Sequence, residues 1–392
     1  MDIVFIIGIA QGLFFSLFLF TQKSNLIANR LLIIWLMCIC FSLFLNYLYI
    51  SKAIESCPHL IGLDTALPFL YGPLLYLYSK YLSSSSQHFQ KKDYWHFAVF
   101  AIYFLYVGVN FYSQSGAYKL QFLQQIHSGH LPSDLTIAIY LKFIQASIYL
   151  YLSLLLIKNH KKSIIDYFSE TQKVNLSWLQ TITLSIAFIY FIKLLGISLP
   201  LIGFAINLGA TEAISDLFVI LFVFVIAFKG YHQQEIFKTQ YKPEPISTEA
   251  PELEISEIEE FEIEVENKTK YANSKLTREK SMELFAKLEH FMQTTKPYLQ
   301  ANITLSEIAI ELSISLKILS QIINEQASNN FFNYINEYRI KEVKLRLIDE
   351  KYKHLTILGI ALECGFNSKS AFNNVFKKLT NQTPSEYLKS IS

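Results

Sequence analysis

The sequence predicts an all-α protein in two parts, a bundle of seven transmembrane helices followed by a C-terminal all-helical domain with two helix-turn-helix units. Two observations predict this fold class. Of the 392 residues, 52% are hydrophobic and only 17% are charged, whereas soluble domains average about 25% charged residues. The long apolar runs end near residue 230, and the pattern near the C-terminus is that of short, capped, amphipathic helices.

The N-terminal domain, residues 1–230, is predicted to cross a membrane repeatedly. A spanning helix needs about 20 mostly apolar residues. The third of the apolar stretches contains Pro68, Gly72 and Pro73, so we expect a kinked helix whose freed carbonyls are satisfied by its neighbours. The first stretch lacks a small-residue cleavage pattern and is interpreted as a span rather than a signal peptide. The seven predicted spans are residues 2–21, 31–50, 60–82, 94–113, 134–157, 177–200 and 211–229.

The basic residues of the connections predict how these spans are oriented. Odd-numbered connections carry nine Lys and Arg residues and even-numbered connections carry two, and the richer side of a membrane protein faces the cytoplasm. We therefore expect a multi-pass protein of a bacterial inner membrane, with its N-terminus outside and everything after Lys229 in the cytoplasm. The nine are Lys23, Arg30, Lys80, Lys91, Lys92, Lys158, Lys161, Lys162 and Lys173, and the two are Lys52 and Lys119.

Ionisable side chains within the spans are few, and with this orientation they fall in the outer half of the bundle. One interpretation is that they form ion pairs that fix helix packing, or extend toward the headgroups. The other is a polar pocket for an unknown signal ligand that enters from outside. The residues of this predicted signal pocket are Asp64, Asp134, Lys142, Lys193, Glu212 and Asp216.

Residues 231–267 form an acidic linker rich in Pro and Glu. Residues 243–267 contain ten Glu and no Asp, a composition that extends a chain. The segment is therefore interpreted as a solvated spacer. Its alternation of Glu with apolar residues leaves open a short strand or partner-binding segment, and its charge leaves open competition with DNA for the basic domain. The four cysteines show no disulfide framework or metal-ligand spacing, so we expect no metal and no cofactor.

The C-terminal domain, residues 268–392, carries 18 basic against 12 acidic residues, which favours a polyanionic partner. Its first helix-turn-helix is predicted over residues 304–326. Thr304 and Glu307 have the spacing of a capping box, and Ser315 is placed to cap the second helix. Side chains able to contact bases and phosphates are predicted to point outward from that helix; they are Lys317, Ser320, Gln321 and Asn324.

The pattern repeats after a long amphipathic helix predicted from about Asn330 to Ile348. Thr356 is expected to cap a helix, Gly365 to allow a left-handed turn, and Ser368 to cap the second recognition helix. The predicted core residues of that helix are Phe372, Phe376 and Leu379. Its predicted DNA-contacting residues are Lys369, Ser370, Asn373, Asn374 and Lys377.

Residues 286–388 resemble the AraC/XylS-type DNA-binding domain, and their second half carries the signature as IALECGFNSKSAFNNVFKKLTNQTPSEY. The resemblance implies seven helices with paired helix-turn-helix units, and control of transcription. Asn381 stands where the family usually has Gly, and Leu316 stands where Pro often begins the first recognition helix. The whole layout resembles the membrane-embedded branch of this family, with a multi-helix N-terminal sensor.

These features favour a membrane-anchored, sequence-specific transcription regulator that couples a membrane or extracytoplasmic signal to promoter binding. Double-stranded promoter DNA, the lipid bilayer, a second copy of the chain and, for an activator, RNA polymerase are the expected partners. The alternative is a membrane receptor or transporter whose tail is a protein-interaction or regulatory module. An enzyme is not expected, because the sequence lacks metal-binding, nucleophile-elbow and phosphate-cradling motifs.

Overall fold

The computed structural model describes residues 2–21, 26–83, 88–127, 132–171, 174–199, 217–225 and 277–391. Within these ranges every regular element is a helix, and no strand is present. The chain divides into two compact units. One contains residues 1–160 and 176–240, and the other contains residues 161–175 and 241–392. The predicted acidic linker, residues 231–267, lies outside the described residues.

The first unit is built from apolar helices. Five stretches among the described residues are long and apolar enough to cross a membrane: Ile3–Thr21, Ile27–Ile50, Lys91–Tyr112, Ser133–Ile164 and Ser177–Ser198. They match the predicted first, second, fourth, fifth and sixth spans. The helices are α1 (Asp2–Thr21), α2 (Leu26–Ile50), α3 (Pro68–Ser83), α4 (Ala98–Val107), α5 (Gly116–His127), α6 (Ser133–Ile164) and α7 (Ser177–Ser198).

The prediction of a helix over residues 60–82 is wrong in its first third. Residues 61–67 form turns and α3 begins at Pro68. Proline suits a first helical turn because its missing N–H has no partner there. The resulting 16-residue helix is about 24 Å long, shorter than the ~30 Å hydrocarbon core. Of the predicted seventh span, the structure describes only residues 217–225, which are helical.

The expected compensation for Pro73 is present. A proline inside a helix leaves the carbonyl four residues earlier without its N–H partner, which here is the carbonyl of Phe69. The side-chain amide of Gln145 on α6 donates to that oxygen at 3.3 Å. Close contact between α3 and α6 permits this, because a Cβ at Gly72 would lie 3.0 Å from the Cβ of Tyr149.

The second unit contains seven further α-helices within residues 277–391, the number that the family resemblance implied. Its apolar side chains form two clusters, one around Leu305 and Ile335 and the other around Ala361 and Phe376. Both clusters include side chains of the long central helix. The helices are α8 (Arg278–Thr294), α9 (Leu305–Leu312), α10 (Leu316–Gln326), α11 (Phe331–Ile348), α12 (Ile357–Glu363), α13 (Lys369–Thr380) and α14 (Pro384–Ile391).

Candidate DNA-binding surface

The first helix-turn-helix, α9 and α10, begins with the predicted capping box. The Thr304 hydroxyl accepts from the Glu307 N–H at 3.3 Å, and the Glu307 carboxylate accepts from the Thr304 N–H at 2.7 Å. Helix α9 ends at Leu312, and Ser313 follows it in the left-handed conformation, with φ of 55°. Ser315 then caps α10 by accepting from the Ile318 N–H at 3.3 Å. The sequence therefore predicted the start, turn and restart of this unit correctly.

The second helix-turn-helix, α12 and α13, follows the same construction. Thr356 accepts from the Gly359 N–H at 3.0 Å, and Ser368 accepts from the Ala371 N–H at 3.1 Å. Gly365 in the turn has φ of +93°, and a Cβ there would lie 2.5 Å from the main-chain oxygen of Tyr298. The turn thus requires glycine for two reasons, its left-handed backbone and the close approach of another backbone segment.

The exposed face of α13 carries all five of its predicted DNA-contacting residues. Lys369, Ser370, Asn373, Asn374 and Lys377 are exposed, and their spacing places them on one side of the helix. The opposite side buries Phe372, Val375 and Phe376. Helix α13 therefore presents two lysines and two asparagines together.

The predicted core residue Leu379 is a correction, because it is 36% exposed. The last turn of α13 extends beyond the second cluster, to which this helix contributes residues only as far as Phe376. Asn381 follows with φ of 58°, so the left-handed position expected from the resemblance is present and is occupied by Asn.

The outward face of α10 is smaller than predicted. Lys317 is exposed, and Ser320 and Asn324 are half-buried. Gln321 is a correction, since it is only 5% exposed. Its amide lies back along the helix and donates to Glu325 at 2.8 Å. A side chain held in this way does not extend outward as the helical spacing suggested.

A buried arginine joins the loop that leads into the first helix-turn-helix to the turn of the second, and the sequence reasoning missed it. Arg339 on α11 is 1% exposed. Its Nε donates to the Tyr298 carbonyl at 2.8 Å, and its Nη2 donates to the Gln300 carbonyl at 2.8 Å. The guanidinium also lies 5.7 Å from the ring centre of Phe366, in the turn of the second helix-turn-helix. Burial lowers the pKa of Arg339 to about 10, which leaves it charged at neutral pH. Phe331, Ile335 and Arg339 follow one another at a spacing of four, which places them on the same face of α11. This spacing was the sequence signal that could have indicated a buried arginine.

Of the six predicted signal-pocket residues, Asp64, Lys142 and Lys193 are half-buried in the first unit and interact electrostatically with one another. The Lys142 ammonium also lies 5.7 Å from the ring centres of Phe69 and Tyr103.

Asp134 is exposed and accepts from the Tyr106 hydroxyl at 3.2 Å. Glu212 and Asp216 lie outside the described residues. Among the residues that are described, no group of three or more His, Cys, Asp or Glu is arranged to hold a metal ion.

Comparisons with known proteins agree with the geometry of the C-terminal domain. Residues 308–390 match a family model described as a helix-turn-helix domain. An uncharacterized HTH-type transcriptional regulator of Staphylococcus aureus strain COL is 36% identical over 86 residues, which are 22% of this chain and 11% of that protein. The transcriptional regulatory protein HptR of Staphylococcus aureus is 30% identical over 90 residues, or 23% of this chain and 34% of that protein. No solved structure matches.

The C-terminal region is therefore a helix-turn-helix domain of the AraC/XylS type, the domain of DNA-binding transcriptional regulators. The chain spans between about a tenth and a third of the length of these two relatives. The similarity concerns the DNA-binding domain and does not extend to the apolar N-terminal unit.

Proposed function

We propose that this protein is a membrane-anchored, sequence-specific transcription regulator that couples a signal in or outside the membrane to promoter binding. The observation that carries the proposal is the pairing of two capped helix-turn-helix units on one long helix, α11, in a chain whose described residues also include five helical stretches long and apolar enough to cross a membrane. This combination fits DNA as the output and the bilayer as the location.

Sequence-specific binding is supported by the side chains on the exposed faces of α10 and α13. Lysines such as Lys317, Lys369 and Lys377 suit phosphate contacts, which position a protein on the duplex. Asn373 and Asn374 can each form two hydrogen bonds to adenine in the major groove. Two recognition helices on one rigid domain would enter successive major-groove faces, about 34 Å apart.

Membrane anchoring is supported by the apolar side chains on the outside of the first unit. Phe20 is 80% exposed, Leu105 66% and Phe191 56%. An apolar surface of this extent is unfavourable in water and is satisfied by hydrocarbon. With the loop charges, it supports a cytoplasmic-membrane location with the DNA-binding domain in the cytoplasm.

Asp64, Lys142 and Lys193 are the strongest residues for the signal pocket, because charged groups within an apolar bundle are costly and need a compensating partner. A ligand that binds them would favour one packing of the helices over another and so shift the population of DNA-binding states. The proposal also includes formation of a homodimer. If the protein is an activator, it further includes contact with RNA polymerase.

The test of the proposal is DNA binding by the full-length protein in lipid nanodiscs. Genome-wide capture with a tagged chain would supply the promoter, and affinity would be measured over a salt series. We expect Lys369→Ala to weaken binding on all sequences and to reduce the salt slope by about one. Lys280→Ala, which removes the same charge from a lysine paired with Glu283 on α8 at 2.9 Å, is the matched control and should leave the slope unchanged.

Binding that shows no sequence preference and no salt dependence would reject DNA as the output. The cluster of Asp64, Lys142 and Lys193 would then favour the second candidate function, a membrane receptor or transporter with a regulatory tail. Lys193→Met separates the pocket from a packing role. Normal signalling by this variant at normal protein abundance would exclude Lys193 from the signal pocket.

A further inference from the structure

Residues 164–170 begin at the last residue of α6, form a turn at 165–167 and pack with the C-terminal domain. They belong to the same compact unit as the DNA-binding helices. Phe168 pairs with Thr304 as an isolated antiparallel bridge. The Ser169 N–H donates to the Ile303 carbonyl at 3.4 Å, and the Leu305 N–H donates to the Tyr167 carbonyl at 3.0 Å. We call residues 164–170 the docking segment.

The docking segment accepts hydrogen bonds from backbone N–H groups that have no partner within their own helix. The first N–H groups of a helix have no partner within that helix. Leu305 is the first residue of α9, and its N–H is bound by the segment. Phe332 is the second residue of α11, and its N–H donates to the Ile165 carbonyl at 3.0 Å. Carbonyl groups of one short segment therefore accept hydrogen bonds from the first turns of two helices of the domain, α9 and α11.

Ser169 connects this segment to Arg339, which joins the loop before the first helix-turn-helix to the turn of the second. Its side chain is buried, at 2% exposure, and its hydroxyl donates to the Ile303 carbonyl at 2.6 Å. Arg339 donates to the Ser169 hydroxyl at 3.3 Å and to the Ser169 carbonyl at 3.4 Å. The negative charge of Glu170 also acts favourably on the guanidinium. The segment thus supplies acceptors to Arg339 that the domain alone does not.

Apolar contacts complete the docking. The Tyr167 side chain packs against the first cluster of the DNA-binding domain. The hydrogen bonds described above join the segment to Ile303, Leu305, Phe332 and Arg339, and none of these is among the nine predicted DNA-contacting residues. These contacts therefore do not occupy the predicted DNA-contacting side chains.

We infer that residues 164–170 are the coupling element of the protein: they dock on the DNA-binding domain through Ser169 and Arg339 and hold its two helix-turn-helix units in the arrangement that binds DNA. A partner that binds only one arrangement of a domain stabilises that arrangement. Because the segment begins at the last residue of α6, a signal that moves α6 changes how often the segment is docked. The DNA-affinity part of this inference depends on the proposed function, whereas the docking itself does not.

Hydrogen exchange in the full-length protein, in nanodiscs of phosphatidylethanolamine and phosphatidylglycerol, tests the docking. Amides at the start of a helix exchange rapidly unless another acceptor binds them. We expect peptides covering 303–306 and 331–334 to be protected in the wild type. In Ser169→Ala, exchange at Leu305 and Phe332 should become about tenfold faster, the change expected for about 1.4 kcal/mol, or one hydrogen bond.

Ser163→Ala is the matched control, since Ser163 is exposed and lies six residues earlier. It should leave both peptides unchanged, and it should bind promoter DNA several-fold more tightly than Ser169→Ala. Rapid exchange at Leu305 and Phe332 in the wild type would overturn the docking, whether or not the protein binds DNA. Protection with equal DNA affinity in the two variants would overturn the coupling role.

A disulfide trap gives a second test that does not depend on loss of stability. Phe168 and Thr304 are a non-hydrogen-bonded antiparallel pair, whose Cα atoms lie about 4.5 Å apart, within the range of about 4.4–6.8 Å that a disulfide requires. Phe168→Cys with Thr304→Cys should oxidise readily when the exposed Cys57 is replaced by Ser.

The control pair for this trap is Ser163→Cys with Thr304→Cys, which should stay reduced. The single Thr304→Cys variant accounts for the lost cap. The oxidised pair should keep the exchange protection and bind DNA at least as tightly as the reduced pair. Failure to oxidise would overturn the docking. An oxidised pair that binds no DNA would instead reject the proposed function and leave the docking intact.

Discussion

Gly365→Ala should destabilise the DNA-binding domain severely, because two separate features of the turn forbid a Cβ. The backbone φ of Gly365 is +93°, and the new Cβ would lie 2.5 Å from the Tyr298 carbonyl oxygen, 2.9 Å from the Arg339 Nε and 3.0 Å from the Leu299 carbonyl oxygen. Two of these three atoms are backbone, which cannot turn aside as a flexible side chain can. The same carbonyl of Tyr298 accepts the 2.8 Å hydrogen bond of Arg339.

The magnitude follows from these contacts. A left-handed conformation costs a residue with a Cβ roughly 1–2 kcal/mol. Moving the 298–299 backbone away lengthens or breaks a hydrogen bond to a charged, buried group, which contributes about 1.5–3 kcal/mol. The sum is about 3–5 kcal/mol. With a urea dependence of about 2 kcal/mol per M, the unfolding midpoint of the domain should fall by about 2 M.

The assay is pulse proteolysis of the full-length protein in nanodiscs over a urea series, followed through a C-terminal tag. Gly359→Ala is the control, because Gly359 lies within α12 and its new Cβ would come no closer than 3.3 Å to the Thr356 hydroxyl. Helix propensity favours alanine there by up to about 1 kcal/mol, so its midpoint should equal that of the wild type or rise by up to about 0.5 M. Equal midpoints for the two variants would refute the argument from the turn.

Three further outcomes are expected from the same domain. Thr304→Ala removes the capping box and should cost about 0.5–2 kcal/mol, measured as faster hydrogen exchange in α9; unchanged exchange would contradict the role of the cap. Asn381→Gly relieves a left-handed residue and should raise the urea midpoint slightly, whereas a lower midpoint would show that the Asn side chain is needed. Burial alone would raise the pKa of Glu342, but hydrogen bonds from Arg346 and Lys296 hold it below its ordinary 4.5. This carboxylate therefore contributes stability above about pH 4.5 that is lost as the pH falls further, and the loss should be smaller in Glu342→Gln.

The sequence was informative wherever structure depends on neighbouring residues. Caps, turns and helix periods are local, and so Thr304, Ser315, Thr356 and Ser368 were predicted as caps and found as caps. The sequence predicted that a neighbouring element would donate to a carbonyl of this helix, because Pro73 leaves the Phe69 carbonyl without its N–H partner. Its actual donor, Gln145, lies 76 residues away, and the sequence could not identify it.

Within the candidate site, the sequence predicted the exposed face of α13 correctly and failed at Gln321 and Leu379. Helical spacing gives the direction in which a side chain leaves the backbone, but burial also depends on how far neighbouring elements extend. Gln321 folds along its own helix, and Leu379 lies beyond the core. The signal pocket stays a prediction: Asp64, Lys142 and Lys193 interact electrostatically, whereas Asp134 is exposed.

The sequence by itself determined that an apolar helical part is joined to a paired helix-turn-helix domain, because hydrophobicity, helix caps and the signature of residues 360–387 are all local properties. Only the tertiary structure decided that Arg339 joins the loop before the first helix-turn-helix to the turn of the second, and that the segment around Ser169 packs against the domain. The atoms concerned are 170 positions apart in the chain. Their contacts satisfy donors and acceptors that become buried only when the domain folds, so no local pattern records them.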